Sequence, residues 1–246
     1  MPGGAAPFAD LAGQDLIDDG QRTKALGLSA RPLGPPRSGW VTARDVYRAV
    51  LAQDPYPVRM LFSFGTNLLA SQPDTAMARQ ALAALDFHVH ADFFLNPSAE
   101  FADIVLPVAT SWEREGLRTG FDASLAGLRR VQLRPPVIPP IGEARSDTDI
   151  VLGLAERLGL SEQFFDGNAD RGHDYALAPA SLSVAALRAH PEGIDVAAEV
   201  PYRAFASSAD NGAASGFPTP TRRLEIYAEQ LLDHGYDPVP RLAADA

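Results

Sequence analysis

The chain has 246 residues, of which 46% are hydrophobic and 21% are charged, with a formal net charge of −10 and no cysteine. This apolar content suffices for one large domain, or for one domain with part of another, and it excludes a disordered chain. The negative charge argues against a non-specific nucleic-acid binder and against a polybasic membrane-surface protein. The absence of cysteine excludes a disulfide, a thiolate zinc site, an iron–sulfur cluster and a cysteine nucleophile in these residues.

The first 39 residues are rich in Gly, Pro, Ala and Asp and include the stretch RPLGPPRSG. Because prolines lack amide donors, we predict an irregular arm or linker there. At the N-terminus, no basic stretch precedes an apolar one, as a signal peptide requires. No apolar run in the sequence approaches the roughly 18 residues of a membrane-spanning helix. We therefore expect a soluble chain without direct membrane insertion. As given it would be cytoplasmic, and a periplasmic location stays open if the complete protein has an export signal.

Residues 40–107 alternate between helical and strand patterns. Thr42 and Asp74 are helix caps before stretches rich in apolar residues, and Asn96 precedes a proline that starts a short helix. This alternation predicts right-handed crossovers and an α/β fold, a Rossmann-like, doubly wound, mostly parallel sheet with flanking helices. The helices are predicted at 42–53, 75–86 and 96–102, and the strands at 58–64, 87–91 and 104–106.

The second half of the chain has fewer regular patterns. Ser146, followed by Asp149, predicts the start of a helix that ends at Gly159. Residues 161–218 are predicted to be loop-like around a helix at 183–189. The segment 217–240 is predicted to hold a short strand and a helix ended by a glycine, Gly235. In the helix after Ser146 we expect a buried apolar stripe of Ile150, Leu154 and Leu158.

Polar residues follow each predicted strand, where an open parallel sheet binds its ligands. Gly65, Thr66 and Asn67 follow the first strand, and Asp92 follows the second. A glycine lets a ligand approach the backbone, an asparagine both donates and accepts, and the carboxylate of Asp92 suits the paired N–H groups of a guanine edge. Arg114, after the third strand, could supply charge for a phosphate.

Each of these residues also has a simpler interpretation. Gly65 can be a turn glycine, and Asp92 can make a turn or cap. Arg114, between Glu113 and Glu115, can belong to a solvated ion-pair cluster. The fingerprint GxGxxG is absent, which argues against an ordinary NAD or FAD site.

Other residues offer further chemistry. His88 and His90 share a strand face and could form a two-imidazole metal pair or a hydrogen-bonded core. Three serines, Ser71, Ser98 and Ser111, lack the GxSxG setting of a nucleophile, which argues against a hydrolase. An arginine cluster is interpreted as surface, with phosphate or partner contact as the alternative; its members are Arg129, Arg130 and Arg134.

Several segments together resemble the molybdopterin oxidoreductases, the dimethyl sulfoxide reductase superfamily, and within it the polysulfide and thiosulfate reductase branch most. The segments occur in the order and spacing of that family. They are GTNLLASQPD (65–74), LDFHVHADFFLNPSAEFADIVLP (85–107), WEREG (112–116), PPIGEARSDTDIVLGLAERLGL (139–160) and FPTPTRRLEIYAEQLLDHGYDPVP (217–240).

The resemblance implies the family's third domain, a Rossmann-like unit that holds one of two molybdopterin guanine dinucleotides. It assigns cofactor contacts to Asn67, to Ala91 with Asp92, to Arg114, where many members have lysine, and to Asp147. Asp147 could also simply favour the helix dipole. The dinucleotide-binding domain is expected at 40–165, followed by a loop-rich extension at 166–216 and a partial C-terminal extension at 217–246.

The same resemblance implies a fragment or one part of a split enzyme, inactive alone. The family's cysteines for an iron–sulfur cluster and its molybdenum ligand belong to an N-terminal part that these residues do not include. The implied partners are the pterin cofactor, the remainder of the oxidoreductase polypeptide or a split subunit, and electron-transfer subunits. The alternative is a non-catalytic nucleotide-binding or partner-docking module, or the remnant of a truncated gene.

Overall fold

A computed structural model describes residues 17–119, 127, 129–196, 204–206 and 216–239. The chain divides into two units, a larger one at Ala6–Val196 and a smaller one that includes the described residues 204–206 and 216–239. The larger unit contains a parallel sheet with flanking helices, so the predicted α/β fold class is confirmed. In the described ranges, no helix has the length and apolarity that a bilayer crossing requires.

Residues 17–39 contain a short helix α1 (Asp19–Thr23) and a 3-10 turn at Pro35–Ser38. They contact helix α2 (Ala43–Ala52) through an ion pair between Arg31 and Asp45. Gly27 has a φ of 79°, and a side chain there would collide with the Asp45 carboxylate. The segment predicted to be an arm is therefore held against α2 at this point.

The parallel sheet has three strands, β1 (Met60–Phe64), β2 (Phe87–Asp92) and β3 (Ile104–Pro107), in that spatial order. Helices α3 (Leu68–Ser71) and α4 (Thr75–Ala83) connect β1 to β2, and a 3-10 turn at Ala99–Phe101 precedes β3. Because all pairs are parallel, the three carboxyl ends lie at one edge.

One face of this sheet is covered by α2 and α4. The caps predicted for both helices are present, since the Asp45 amide donates to Thr42 Oγ1 and the Met77 amide donates to Asp74 Oδ1. Side chains of Leu61, Val58 and Leu85 pack against the core beneath them. That core consists of Tyr47, Val50, Leu69, Ala78, Ala81 and Leu82.

A second, antiparallel sheet was not predicted. It consists of β4 (Gly116–Thr119), β5 (Arg130–Arg134) and β6 (Ile194–Asp195). Its signal is the alternation of polar and buried residues in β5, where Val131 and Leu133 point inward. The Arg130 guanidinium pairs with Asp195 at 2.5 Å, which agrees with a surface interpretation for this arginine.

Three helices follow in sequence, α5 (Asp147–Arg157), α6 (Ala169–Leu177) and α7 (Val184–Ala189). The loop-like interpretation was wrong for residues 169–175, because Asn168 caps α6 by accepting from the Arg171 amide at 3.1 Å. The cap of α5 is as predicted, but its stripe is not buried. Leu154 is 39% exposed and Leu158 is 64% exposed, and among the helix's residues Ala155 is the buried one.

In the smaller unit, the short strand predicted in the segment 217–240 is absent from the described residues. Leu224 and Ile226 are 74% and 82% exposed, and no strand pairs with them in the part of the chain that the structure describes. The helix predicted after it is shorter than expected, α8 (Glu229–Leu232), and Gly235 follows with a φ of 76°. The stretch 207–215, predicted to be loop, lies outside the described residues.

Candidate functional site

The loop after β1 begins with Gly65 at a φ of 52°. Its amide donates to the Ala91 carbonyl at 2.8 Å, so the ends of β1 and β2 stay aligned at this point. A Cβ added at Gly65 would meet nothing within 4 Å. The backbone here is open, as close approach of a ligand requires.

The loops after β1 and β2 are joined by Asn96 and Ser98, which sequence reasoning had not assigned to the site. Asn96 Nδ2 donates to Asp92 Oδ2 at 2.8 Å and to the Thr66 carbonyl at 3.4 Å. Ser98 Oγ donates to Asn67 Oδ1 at 3.0 Å. The predicted residues after the first two strands therefore form one hydrogen-bonded group.

The Asp92 carboxylate oxygens already accept hydrogen bonds from donors in the loop that follows β2. Oδ1 accepts from the Phe93 amide at 2.6 Å and from the Phe94 amide at 3.3 Å. Oδ2 accepts from Asn96 and lies 3.5 Å from His90 Nε2. The turn-making role that the sequence left open is thus present. Among the described residues, Oδ2 accepts a hydrogen bond from Asn96 alone, which leaves it a lone pair.

His88 and His90 are fully buried behind Asp92 and share one serine hydroxyl. Ser63 Oγ lies 2.9 Å from His88 Nε2 and 2.8 Å from His90 Nδ1. Burial lowers the pKa of His88, which favours the neutral ring. In the described ranges no group of three or more His, Asp or Glu side chains could hold a metal ion. The hydrogen-bonded core is the interpretation that these contacts support.

The turn 113–116 directs its two glutamates toward protein partners. The Glu113 carboxylate accepts from the Thr110 amide, the Thr110 hydroxyl and the Ile141 amide, and these bonds lower the pKa of Glu113. Glu115 pairs with Arg188 at 2.7 Å. Between them, Arg114 has a buried Nε with no hydrogen-bond partner among the residues that the structure describes. An unpartnered buried donor is costly in a folded protein.

Arg114 lines a cavity of about 670 Å³. The cavity also contains the start of α5, with Ser146, Thr148 and Asp149 in its wall, and Asp147 lies between these residues in sequence. The Arg145 amide donates to the Pro107 carbonyl at 3.2 Å, so the start of α5 adjoins the end of β3. Neither Asn67 nor Asp92 lines this cavity.

The predicted residues thus form two groups along the carboxyl edge of the sheet. Gly65, Thr66, Asn67, Ala91 and Asp92 surround the ends of β1 and β2. Arg114 and the start of α5, at Asp147, lie beyond β3, and the Val108 amide connects the two groups by donating to the Asp92 carbonyl at 3.2 Å. This edge presents hydrogen-bond acceptors at one end and, at the other, a cavity lined by Arg114 and Arg145 together with Glu113, Glu115 and Asp149.

Residues 13–157 match a protein-family model described as Molybdopterin oxidoreductase. The chain belongs to this family. The matched range includes every residue predicted for the site. The chain is therefore a domain of a molybdenum-cofactor oxidoreductase family.

Two relatives and one solved structure show how much of the family the chain represents. It is 30% identical over 201 residues to "Probable oxidoreductase YoaE" of Bacillus subtilis, covering 78% of this chain and 27% of that protein. It is 31% identical over 195 residues to the dimethyl sulfoxide/trimethylamine N-oxide reductase of Rhodobacter capsulatus, covering 74% and 23%. The chain therefore spans about a quarter of the length of these relatives.

The fold resembles that of acetylene hydratase from Pelobacter acetylenicus. The TM-score is 0.75 at 19% sequence identity, and the match covers 99% of this chain and 35% of the hydratase chain. At this identity the likeness concerns the fold alone. One relative is named a reductase and this structure a hydratase, so family membership leaves the reaction unassigned.

Proposed function

We propose that this chain is the cofactor-binding part of a molybdenum-dependent oxidoreductase and holds a molybdopterin guanine dinucleotide along the carboxyl edge of the parallel sheet. The observation that carries this proposal is the buried Nε of Arg114, which has no partner in the described part of the chain and lies in a cavity at the start of α5. Helix N-termini and arginines are the groups that proteins use for phosphates. Family membership supports the molybdenum and pterin, and the guanine dinucleotide form is our proposal.

The two groups of residues suit the two ends of such a dinucleotide. Gly65, Thr66 and Asn67 offer an open backbone, and Asp92 offers a lone pair of Oδ2 to a guanine N–H. Arg114 would donate to a phosphate, and Asp147 would serve as a second acceptor. When bound, the molybdenum of the cofactor would supply two-electron or atom-transfer chemistry. The residues of this chain would bind and orient it.

The proposal also includes the parts of the enzyme that lie outside this chain. The partners would be the remainder of the oxidoreductase, as one polypeptide or as a split subunit, and electron-transfer subunits, with any iron–sulfur cluster outside this chain. We expect no turnover from this chain alone, since it spans about a quarter of its relatives' length. One molybdenum per chain with turnover would contradict that expectation and also the alternative of a non-catalytic binding module.

Titration of the purified chain with guanosine diphosphate tests the site. Because a charge-assisted hydrogen bond contributes about 1.5–3 kcal/mol, Arg114→Gln should weaken the affinity about tenfold or more. Arg44→Gln removes the same charge from an exposed position on α2 and should change the affinity little. If both variants bind guanosine diphosphate like the unmodified chain, Arg114 is not in the site.

A further inference from the structure

The face of the parallel sheet opposite α2 and α4 forms an open apolar groove. Strand residues that alternate away from the covered core line its floor, and α5 forms one wall with Ile150 and Leu154. The groove has a volume of about 640 Å³. Its floor consists of Met60, Phe62, Phe87, Val89, Ile104 and Leu106. We call this surface the α5 groove.

The side chains that line this groove are more exposed than is usual in a parallel sheet. Parallel sheets are normally covered on both faces, because their strands have apolar residues on both sides. In the α5 groove, Met60 is 52% exposed, Ile104 is 44% exposed and Leu154 is 39% exposed. A contiguous exposed apolar surface of this kind marks an interaction site. Two residues of the stripe that the sequence predicts to be buried, Ile150 and Leu154, line this same groove.

We propose that the α5 groove is the docking surface for an amphipathic helix from the part of the oxidoreductase that lies outside this chain. A helix is the element that covers the open face of a parallel sheet in α/β folds. The groove also runs beside α5, so an added helix would pack on the sheet and on α5 together. This inference rests on the proposed function only in taking the partner to be the same enzyme.

The charges at the rim and the lengths of the relatives specify the partner further. The rim includes Glu143 and Asp149 as well as Arg145 and Arg157, so a docking helix should flank its apolar stripe with charges of both signs. The match to acetylene hydratase leaves about two thirds of that chain unmatched, since it covers 35% of it. A second copy of this chain is disfavoured as the occupant because the net charge of −10 makes two copies repel each other.

Peptide binding tests the α5 groove directly. The probes are synthetic peptides of about 25 residues, long enough to be helical, tiled across the part of B. subtilis YoaE outside its matched 201 residues. We expect at least one amphipathic peptide to bind, and Leu154→Asp to weaken that binding at least tenfold. Leu224→Asp, at an exposed leucine of the smaller unit, is the control and should bind like the unmodified chain.

A second variant, Met60→Glu, keeps the test independent of α5, and circular dichroism establishes that both variants fold. If no peptide binds, or if Leu154→Asp and Met60→Glu bind as tightly as the control, the proposal is wrong. If sedimentation shows that the unmodified chain is a dimer and that Leu154→Asp is a monomer, a second copy occupies the groove and the proposal is also wrong. Guanosine diphosphate binding is measured separately, so failure of the α5 groove and failure of the proposed cofactor site are distinguishable.

Discussion

The hydroxyl of Ser63 is shared by two fully buried imidazoles, His88 and His90. A serine hydroxyl has one proton, which it can give to one ring or to the Val89 carbonyl at 3.4 Å, so at least one ring must donate to it. His90 also contacts the Asn96 amide at 3.3 Å, and Asn96 donates to Asp92. The buried histidines are therefore connected by hydrogen bonds to the carboxylate that we propose contacts guanine.

Replacing Ser63 with alanine should be clearly destabilising. The change leaves two buried ring nitrogens without their shared partner, and an unsatisfied buried polar group costs about 1–3 kcal/mol. We expect Ser63→Ala to lower the free energy of unfolding by about 2 kcal/mol, as measured by urea denaturation. Ser71→Ala, which removes an exposed hydroxyl that bonds the Asn67 carbonyl, should have a much smaller effect. Equal effects of the two changes would show that the shared hydroxyl contributes little.

Part of this residue-level geometry could be predicted from the sequence. Asn67 and Asp92 follow parallel strands, so their proximity follows from topology alone, while their ligand roles stay predictions. Asn96 and Ser63 were missed because their contacts join residues distant in sequence and depend on strand register. The state of the Arg114 Nε, which has no partner among the described residues, could not be predicted. Its neighbours Glu113 and Glu115 bond to Ile141 and Arg188, which are distant in sequence.

At the scale of elements, the cap of α5 connects helix stability to the proposed cofactor cavity. Ser146 Oγ accepts from the Asp149 amide at 3.0 Å and donates to Asp149 Oδ2 at 2.7 Å. Ser183 caps α7 in the same way, accepting from the Ala186 amide at 3.1 Å, but it does not line the cavity. The two serines are therefore a matched pair, in which Ser146 has an expected binding role and Ser183 has none.

Substitution of either serine by alanine should cost about 1 kcal/mol of unfolding free energy, which is typical of a lost N-cap. Ser146→Ala alone should also weaken guanosine diphosphate binding several-fold, because it perturbs the helix N-terminus in the cavity. Urea denaturation and titration with guanosine diphosphate measure the two effects. If the two variants bind guanosine diphosphate equally well, the start of α5 is not part of the phosphate site.

The elements that the sequence predicted are those with local signals. Thr42, Asp74 and Ser146 were identified as caps because a polar side chain before an apolar periodic stretch is itself the signal. Helix α6 was missed because its cap, Asn168, lies in a stretch rich in Gly and Asp that is typical of loops. The stripe of α5 was placed in a core because periodicity shows which face is apolar, whereas burial depends on what lies opposite.

For the molecule as a whole, the pattern of strands and helices was enough to predict the α/β class but not the second sheet. Strand β5 has only two inward residues, and its partner β6 is distant in sequence, since Arg130 and the Asp195 that it bonds are 65 residues apart. The α5 groove results from the arrangement of the parallel sheet and its helices. The sequence places apolar strand residues on the face opposite α2 and α4, and several of them stay exposed.

The acid stability of the whole molecule should depend on the contact between residues 17–39 and α2. Burial alone would raise the pKa of Asp45, but hydrogen bonds from Arg31 and Thr42 and the charge of Arg31 outweigh it, so the pKa is lowered. A carboxyl whose pKa is lower in the folded state stabilises the fold fully above its unfolded pKa, which is about 3.9. That stability is lost as the pH falls through the lower, folded pKa.

Asp45→Asn should therefore lower the unfolding free energy by about 2 kcal/mol at pH 7, where a hydrogen-bonded charge is lost. The difference from the unmodified chain should narrow below about pH 4 and close as the pH falls through the folded pKa, because a protonated aspartic acid can no longer pair with Arg31. Urea denaturation at a series of pH values measures this difference, and Glu156→Gln, at an exposed position on α5, controls for the loss of one negative charge. A difference that stays constant with pH would show that Asp45 contributes through packing, since only its ionisation can make the effect depend on pH.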